Sequence, residues 1–406
     1  MEMIKVLIYF DKNKLKPVGG PAGYLYNLEE ELKKEQIDYI EFLNDSKVKN
    51  FSKVKNLYKK MPKFVQNNKF VQKIKKDRYV YKLVKDITSD CERKSSIDLN
   101  EYDIIHFHST LDMYKVKDSL DNYKGIVLLT SHSPEALHLE LIDTIDEKNK
   151  KIYEEEIKKF VKMDEYAFDR ADYIHFPTKD SEECYYNTWE EYKSIKERNK
   201  NKYLYLPTGI NEVKINCEKE KYRKKYNIPD DAFVISYVGR HNEVKGYAQL
   251  KKIAEELLKN ENNIYFLIGG KEEPLKGLSN DHWIEVGWTD QPHDLINSSD
   301  MFILPNKETY FDLILLEVLS IGKVVLMTNT GGNKFFKNFA EKSLFYYDFE
   351  DINKAMEEIN NIKNMNIEEL EKINKKLFKE NFTIEKFANG YVSMINSIIK
   401  GEENGK

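Results

Sequence analysis

The feature that most constrains this chain is a series of twelve short, apolar, β-rich runs separated by longer charged segments of helical character. The runs lie at residues 5–10, 38–43, 103–108, 125–132, 172–178, 203–209, 233–239, 263–270, 282–287, 300–306, 322–329 and 343–347. Strands of a parallel sheet are covered on both faces and read as continuous apolar runs, so the pattern predicts an α/β protein. Twelve units exceed one ordinary sheet, and two doubly wound sheets of six strands are expected. A barrel, which needs about eight units, is the second choice.

A polar segment at residues 211–231 marks the expected boundary between two domains. It ends in a Pro-Asp turn, and a fresh strand pattern begins at Phe233. The expected domains are residues 1–212 and 213–383. The last segment, 384–406, has apolar residues at helical spacing, and we expect this helix to pack back on the first domain.

Composition narrows the class of protein. No apolar run reaches the ~18–20 residues that a membrane-spanning helix needs, and the first ten residues lack the pattern of a signal peptide. The three cysteines, Cys91, Cys184 and Cys217, are far apart and form no CxxC motif, which is typical of reduced thiols. We therefore expect a cytoplasmic protein.

The net charge of −4 hides an uneven distribution. Residues 47–85 contain 14 Lys or Arg and one acid, Asp77, and the cations alternate with Phe, Leu, Tyr and Val. This pattern is typical of helices that lie on an anionic membrane surface. We expect peripheral contact with the inner face of the plasma membrane through this segment; the alternative is a solvated insertion. Nucleic acid is not an expected partner, because the rest of the chain is acidic.

Ligands of open α/β sheets bind beyond the carboxyl ends of the strands, so the residues after each run are the candidates for a site. After the first run, Gly19, Gly20 and Gly23 precede a helix that is expected to start near Tyr24. Glycines let backbone approach a ligand, and a helix N-terminus favours an anion. The GGxxG pattern is neither the dinucleotide fingerprint nor a Walker A loop, so a tight turn and a ligand loop both stay open.

Charged residues follow two runs of the second half. Arg240 and Lys245 stand at the mouth of a helix, where two cations can neutralise a diphosphate; the alternative is two solvated surface cations. A helix expected to begin near Phe311 or Asp312 carries one acid, Glu317, among apolar residues. Because burial of a lone carboxylate is costly, we expect Glu317 to accept hydrogen bonds from sugar hydroxyls.

Histidines and glycines end other runs. His132 ends the fourth run, where it can bind a substrate or act as a general acid or base. His106 and His108 share a strand face; zinc is conceivable, but no third ligand has the usual spacing, and His106 is expected to be structural. Gly270 leaves room for a flat group against backbone, whereas Trp288 is either part of such a site or core.

Together these motifs resemble family 4 glycosyltransferases. The order V-G-R…K…G at 238–246, then I-G-G, V-G-W, P-x-x-E…L-L-E and T-G-G, is similar to the second half of that family. G-G-P-A-G, T-S-H and P-T-G-I-N resemble its first half, so the resemblance extends over essentially the whole chain. It implies the GT-B fold, two Rossmann-like domains that face a cleft. It also implies a retaining, nucleotide-sugar-dependent, metal-free enzyme of bacterial cell-surface polysaccharide synthesis.

The resemblance also implies roles for individual residues. Arg240 and Lys245 would bind the donor's pyrophosphate, and Glu317 would hold its ribose hydroxyls. His132 and the loop at Gly19 and Gly20 would face the transferred sugar. The implied donor site also includes Gly270, Thr309, Tyr310, Phe311, Asp312 and Leu313.

One departure concerns the family's E-x7-E motif. Counting back from Glu317 puts Thr309 at the position of the first acid, with Glu308 one residue earlier and Asp312 in place of the usual glycine. Either the loop shifts so that Glu308 approaches the hexose as a catalytic residue, or Thr309, Tyr310 and Asp312 hold the sugar differently.

The expected function is transfer of a hexose or N-acetylhexosamine from a nucleotide diphosphate sugar, expected to be UDP-linked. The expected acceptor is a saccharide or a polyprenyl-diphosphate-linked saccharide, and no cofactor or metal is expected. The alternatives are another GT-B enzyme, such as a sugar-nucleotide epimerase or a phosphorylase, and a catalytically inactive partner subunit.

Overall fold

The computed structural model describes residues 4–10, 15, 20–43, 69–88, 97–339 and 342–405. The chain divides into two compact units: the first consists of residues 1–176 and 185–204, and the second of residues 177–184 and 205–406. The longer part of the second unit begins at Tyr205, before the predicted start of the second domain at residue 213. The reason is that Ile210 donates a backbone hydrogen bond to Phe382 O at 2.9 Å, which joins this stretch to the end of the second unit.

The described residues contain twelve strands, one within each expected run. Their bounds are β1 Val6–Tyr9, β2 Ile40–Phe42, β3 Ile104–Phe107, β4 Ile126–Thr130, β5 Tyr173–Phe176, β6 Tyr203–Tyr205, β7 Phe233–Val238, β8 Ile264–Gly269, β9 Trp283–Gly287, β10 Met301–Leu304, β11 Val324–Thr328 and β12 Leu344–Tyr347. They form two six-stranded sheets. The predicted α/β architecture of two doubly wound sheets is confirmed, and a barrel is excluded.

Helices connect the strands. The α-helices of the described residues are α1 Pro21–Lys34, α2 Lys69–Thr88, α3 Thr110–Lys115, α4 Lys117–Leu120, α5 Leu137–Asp143, α6 Glu147–Ile152, α7 Glu154–Ile157, α8 Val161–Arg170, α9 Glu183–Thr188, α10 Tyr192–Arg198, α11 Lys219–Lys225, α12 Tyr247–Asn260, α13 Pro292–Asn297, α14 Leu313–Ile321, α15 Ile352–Lys363, α16 Ile367–Asn381 and α17 Ile384–Gly405. Short 3₁₀ helices lie at Leu99–Glu101, Asp180–Glu182, Lys200–Lys202 and Gly331–Phe339.

The sheet of the second unit has the order β12-β11-β10-β7-β8-β9. Its pairs are parallel, and its central strands are buried along almost their whole length. The chain runs outward from β7 through β8 to β9 and then returns to the other side of β7 as β10. The strand order therefore reverses between β7 and β10, and ligands of such sheets bind at this point, beyond the carboxyl ends.

The sheet of the first unit has the order β2-β1-β3-β4-β5-β6. Its order reverses between β1 and β3, which pair in parallel from Val6 opposite Ile104 to Tyr9 opposite Phe107. Both strands are completely buried, as continuous apolar runs covered on two faces should be.

The last helix, α17, buries most of the apolar residues that recur at helical spacing in its sequence. Ile384, Phe387, Tyr391, Ile395 and Ile398 are buried, and Met394 is half-buried. The helix belongs to the second unit, and its packing on the first unit stays a prediction.

Two further expectations concern membranes and cysteines. Within the described part of the chain, no helix is long and apolar enough to cross a membrane. Cys184 and Cys217 are free thiols, and Cys91 lies outside the described residues.

Candidate functional site

The loop after β7 is shaped by a glycine. Gly246 has the left-handed φ of 64° and occupies the N-cap position of α12. A Cβ there would overlap the carbonyl oxygen of Pro305, the residue after β10. The glycine therefore permits the loops that follow β7 and β10 to touch at the point where the strand order reverses.

Arg240 and Lys245 lie in this loop in different environments. The Arg240 side chain is exposed and has no hydrogen-bond or ion-pair partner among the described residues. Its backbone oxygen accepts a hydrogen bond from the Tyr237 hydroxyl at 2.8 Å, which fixes the start of the loop. Lys245 is largely buried, with 22% of its side chain exposed.

The ammonium of Lys245 is paired with Asp312. Lys245 Nζ lies 2.7 Å from Asp312 Oδ1 and 2.9 Å from Oδ2, and the amide of Asn306 also donates to this carboxylate. Asp312 is the N-cap residue of α14, yet its side chain makes no capping hydrogen bond. Because the carboxylate turns towards Lys245, no described side chain caps the N-terminus of this nine-residue helix.

The segment before α14 is packed rather than extended into solvent. Thr309, Tyr310 and Phe311 are buried, with 1%, 7% and 8% exposure, and Glu308 is half-buried. The Thr309 hydroxyl has no partner among the described residues. The Glu308 backbone N–H donates to Val244 O at 3.4 Å, so this segment is held against the β7 loop.

Glu317 lies on the less buried face of α14 with Leu313 and Ile314. Its side chain is 28% exposed, and its Oε2 lies 3.1 Å from Nε2 of His293 in α13. The helix expected near Phe311 or Asp312 thus begins at Leu313. The lone acid of the apolar run is not a buried, unpartnered charge.

The ends of β8 and β9 come close through glycines. Gly270 N–H donates to Gly287 O at 2.9 Å, and a Cβ on Gly270 would overlap the carbonyl oxygen of Gly239. The side of Gly270 that a Cβ would occupy is therefore filled by the chain after β7, and a contact of Gly270 with a flat ligand group stays a prediction. Trp288 is 83% exposed and is not part of the core.

Gly331 and Gly332, the glycines of the T-G-G motif, lie next to an anionic side chain. The Glu183 carboxylate accepts hydrogen bonds from Gly331 N–H at 3.1 Å and from the Thr330 hydroxyl at 3.4 Å, and it pairs with Lys334. The N-terminus of the 3₁₀ helix Gly331–Phe339 is thus occupied by the carboxylate of Glu183, which belongs to the same unit.

A buried polar cluster lies behind Arg240. His241 is fully buried and stacks on Tyr247, with ring centroids 3.9 Å apart and an interplanar angle of 7°. Glu285 accepts hydrogen bonds from the Tyr247 hydroxyl and, at 2.8 Å, from Trp283 Nε1. Burial raises the pKa of Glu285 and lowers the pKa of His241. Both changes favour the uncharged form of the residue.

His132 in the first unit is the partly exposed end of a group of histidines. Its Nε2 is hydrogen-bonded to His108 Nδ1 at 2.8 Å, and its ring meets Tyr24 edge-on. Thr130 Oγ1 joins His106 Nε2 at 2.7 Å to His175 Nδ1 at 2.8 Å. Burial, together with the neighbouring histidines, holds the pKa values of His106 and His108 well below the usual value. His106 is therefore a satisfied, uncharged core histidine, as expected.

The glycine loop of the first unit is described only in part. Gly20 is exposed, with the left-handed φ of 77°, and precedes α1, which begins at Pro21 rather than near Tyr24. No heavy atom lies within 4 Å of the position of its missing Cβ. Gly19 lies outside the described residues.

Residues 218–379 match the family model described as glycosyl transferases group 1. The matched range holds β7–β12 and contains Arg240, Lys245 and Glu317. This range is therefore similar to the glycosyltransferases of group 1.

The chain is also similar to a curated glycosyltransferase. The chain is 22% identical over 217 residues to the O-antigen biosynthesis glycosyltransferase WclY of Escherichia coli, a match that covers 49% of this chain. The match spans about three fifths, 59%, of that relative's length.

Solved structures show that the similarity of fold extends beyond residues 218–379 to nearly the whole chain. Sucrose-phosphate synthase from Thermosynechococcus elongatus has a TM-score of 0.62 at 16% identity, with 98% of this chain and 100% of the other covered. Anabaena HepE, solved in complex with UDP, has a TM-score of 0.61 at 12% identity, with 97% and 100% covered. The fold is therefore GT-B, as the resemblance implied. A role in bacterial polysaccharide synthesis stays a prediction.

Three side-chain partners within the second unit were not predicted from the sequence. His293 pairs with Glu317, Glu183 lies at the glycines of the T-G-G motif, and Asp312 pairs with Lys245. Only the pair of Lys245 and Asp312 left a signal in the sequence, because Asp312 stands where the resembling family has glycine. The roles of the predicted site residues stay predictions.

Proposed function

We propose that this protein is a retaining glycosyltransferase. It moves a hexose or N-acetylhexosamine from a nucleotide diphosphate sugar, UDP-linked, to a saccharide or polyprenyl-diphosphate-linked saccharide in cell-surface glycan synthesis. The family match of residues 218–379, the named role of WclY in O-antigen biosynthesis and the UDP complex of HepE support this proposal. A cytoplasmic location and a reaction without metal or cofactor belong to the same proposal.

One observation carries the proposal. At the point where the strand order reverses, the N-terminus of α14 has no side-chain cap and lies beside Lys245, while Arg240 after β7 keeps an exposed guanidinium. A helix N-terminus with two cations is suited to a diphosphate. This is the leaving group of a nucleotide-sugar donor.

The proposed reaction exchanges one bond for another at the anomeric carbon. The bond from C1 to the diphosphate oxygen breaks, and the acceptor oxygen bonds to C1 from the same face. The acceptor proton passes to the departing diphosphate oxygen, and UDP leaves. Arg240, Lys245 and the α14 N-terminus offset the charge that grows on the diphosphate, because their dipoles and charges are in place before the reaction.

Polar groups with fixed positions are the proposed contacts of the transferred sugar. His132 is hydrogen-bonded to His108, which fixes its ring orientation. Thr309 has a buried hydroxyl without a described partner, and Glu308 is half-buried one residue earlier. We propose that this segment replaces the first acid of the family's E-x7-E motif.

Glu317→Gln tests the proposed ribose contact. We expect the donor KM to rise about tenfold or more, because a hydrogen bond to a charged acceptor is worth ~1.5–3 kcal/mol. The melting temperature should change little, since Glu317 is partly exposed and on the helix surface. Steady-state kinetics and thermal unfolding measure the two effects.

His293→Gln is the matched control for Glu317→Gln. His293 touches the same carboxylate but is not proposed to bind donor, so its effect on KM should be smaller. A Glu317→Gln protein with unchanged KM and a melting temperature lower by several degrees would assign Glu317 to folding instead.

Helix α2 supports the proposed membrane contact. Val80, Leu83, Val84 and Ile87 are buried and pack within the first unit. The rest of the helix surface exposes Ile74, Tyr79 and Tyr81 at 52%, 51% and 55%, and the face opposite Val80 carries the exposed cations Arg78 and Lys82. Aromatic residues among cations suit the headgroup region of an anionic membrane. Residues 47–68 of the predicted basic segment lie outside the described residues.

Arg78→Glu/Lys82→Glu should weaken binding to anionic vesicles. Near the membrane surface each basic residue contributes about 1 kcal/mol, so we expect binding about 30-fold weaker or more. Co-sedimentation with phosphatidylglycerol vesicles measures this, and Lys252→Glu/Lys372→Glu, two exposed lysines of the second unit, is the control of equal charge change. Equal binding to neutral and anionic vesicles would refute the membrane contact.

A panel of UDP-, GDP- and ADP-sugars tests the proposed function itself. Released nucleotide is measured with and without saccharide acceptors, and the anomeric configuration of the product is read by NMR. We expect turnover with the sugars of one of the three nucleotides. The new glycosidic bond should have the same anomeric configuration, axial or equatorial, as the donor. Inversion would overturn the retaining mechanism, epimerised donor would indicate an epimerase, and no turnover with any donor would indicate an inactive subunit.

A further inference from the structure

We propose that Asp312 is an internal competitor of the donor diphosphate. Its carboxylate occupies Lys245 in the absence of donor, and donor binding has to displace it. The inference rests on the proposed function, because it concerns the same site. It assigns to Asp312 an effect on donor affinity opposite to that of a ligand-binding residue.

The contacts of Asp312 are those that a phosphate oxygen would make. Both carboxylate oxygens lie within 3 Å of Lys245 Nζ, and the buried amide of Asn306 donates to one of them. The pair is mostly withdrawn from water, with 22% of the lysine and 16% of the aspartate side chain exposed. Water therefore screens the attraction only in part.

The position of Asp312 on its helix also indicates that Lys245 holds this carboxylate strongly. Aspartate at an N-cap normally accepts hydrogen bonds from the first backbone amides of the helix. Asp312 has the extended backbone of an N-cap, with φ −76° and ψ 115°, but its side chain makes no such bond. Lys245 and Asn306 thus outcompete the helix amides for this carboxylate.

A diphosphate that approaches the N-terminus of α14 meets this carboxylate first. Lys245 cannot give its charge fully to both anions, and two unscreened anions beside each other repel. The donor therefore binds more weakly than the two cations alone would allow. Glycine, which stands at this position in the resembling family, has no such charge.

Calorimetric titration with UDP and with inorganic pyrophosphate tests the inference. Asp312→Asn keeps the size and one acceptor oxygen for Asn306 but removes the charge. We expect UDP to bind about tenfold more tightly to Asp312→Asn than to wild type. Pyrophosphate should also bind more tightly to the variant. Asp281→Asn, an exposed residue before the amino end of β9, has the same change in net charge and should leave the affinity unchanged.

A double-mutant cycle separates competition for Lys245 from a general loss of negative charge. In the Lys245→Ala background, Asp312→Asn should improve UDP affinity by about threefold or less. Wild-type or weaker UDP affinity in Asp312→Asn would overturn the inference while leaving the proposed function intact. Failure of wild type and all variants to bind UDP, GDP or ADP would overturn both.

Discussion

Arg240→Ala is expected to lower kcat/KM for glycosyl transfer by about 10²–10³-fold, which is the usual cost of removing one preorganised donor to a developing negative charge. The guanidinium is exposed and has no partner among the described residues, so its removal disturbs no packing. The melting temperature should therefore stay within about 1–2 °C of wild type. Initial rates with the best donor and a thermal melt measure the two quantities.

The controls for Arg240→Ala distinguish geometry from charge. Arg240→Lys keeps the charge but not the bidentate fork, and it should recover only part of the activity. Lys245→Ala should cause a loss of similar size, because it removes the other cation of the proposed diphosphate site. Lys252→Ala removes an exposed cation of α12 and should have no effect. Turnover within a few-fold of wild type in both Arg240→Ala and Lys245→Ala would refute the diphosphate site.

Gly246→Ala is expected to destabilise the second unit by about 3 kcal/mol or more, which corresponds to a melting temperature lower by about 6–12 °C. Two costs combine in this substitution. The backbone has a left-handed φ of 64°, and the new Cβ would lie 2.6 Å from the carbonyl carbon of Pro305 and closer still to its oxygen. Backbone cannot move aside as a flexible side chain can, so the two loops must separate.

Gly287→Ala separates these two costs. Gly287 also has a left-handed φ, 74°, but nothing lies within 4 Å of the position of its missing Cβ. Its replacement should cost only the conformational strain, about 1 kcal/mol. Equal melting temperatures for Gly246→Ala and Gly287→Ala would show that the contact with Pro305 does not constrain the loop. Gly246→Ala should also lose transfer activity, because Lys245 precedes it directly.

Much of the fold could be predicted from the sequence because of the kind of sheet that it forms. Strands buried on both faces need apolar residues at every position, so β7, β8 and β11 stand out as continuous runs. Strand bounds were less predictable: the run at 203–209 contains only Tyr203–Tyr205 as strand, since Ile210 bonds to Phe382 instead. No local pattern encodes a contact across that distance along the chain.

The candidate site was predictable for residues that directly follow a strand, because chain order alone puts them at the carboxyl edge of the sheet. Arg240 and Lys245 follow β7 and Glu317 follows β10, and in a parallel sheet these ends share one edge. Partners that come from elsewhere in the unit were not predictable, because only the folded chain brings them together. Glu317 meets His293, 24 residues away, and Lys245 meets Asp312, 67 residues away.

The central claim is that the N-terminus of α14, with Arg240 and Lys245, binds the diphosphate of a nucleotide-sugar donor. Calorimetric titration of UDP, GDP and ADP into wild type and into Arg240→Ala/Lys245→Ala tests it most directly. We predict that one of the three binds wild type with a Kd between about 1 μM and 1 mM, in line with typical substrate affinities, and binds the double variant at least about a hundredfold more weakly. Binding of equal strength to both proteins, or no binding of any of the three nucleotides to wild type, would contradict the claim.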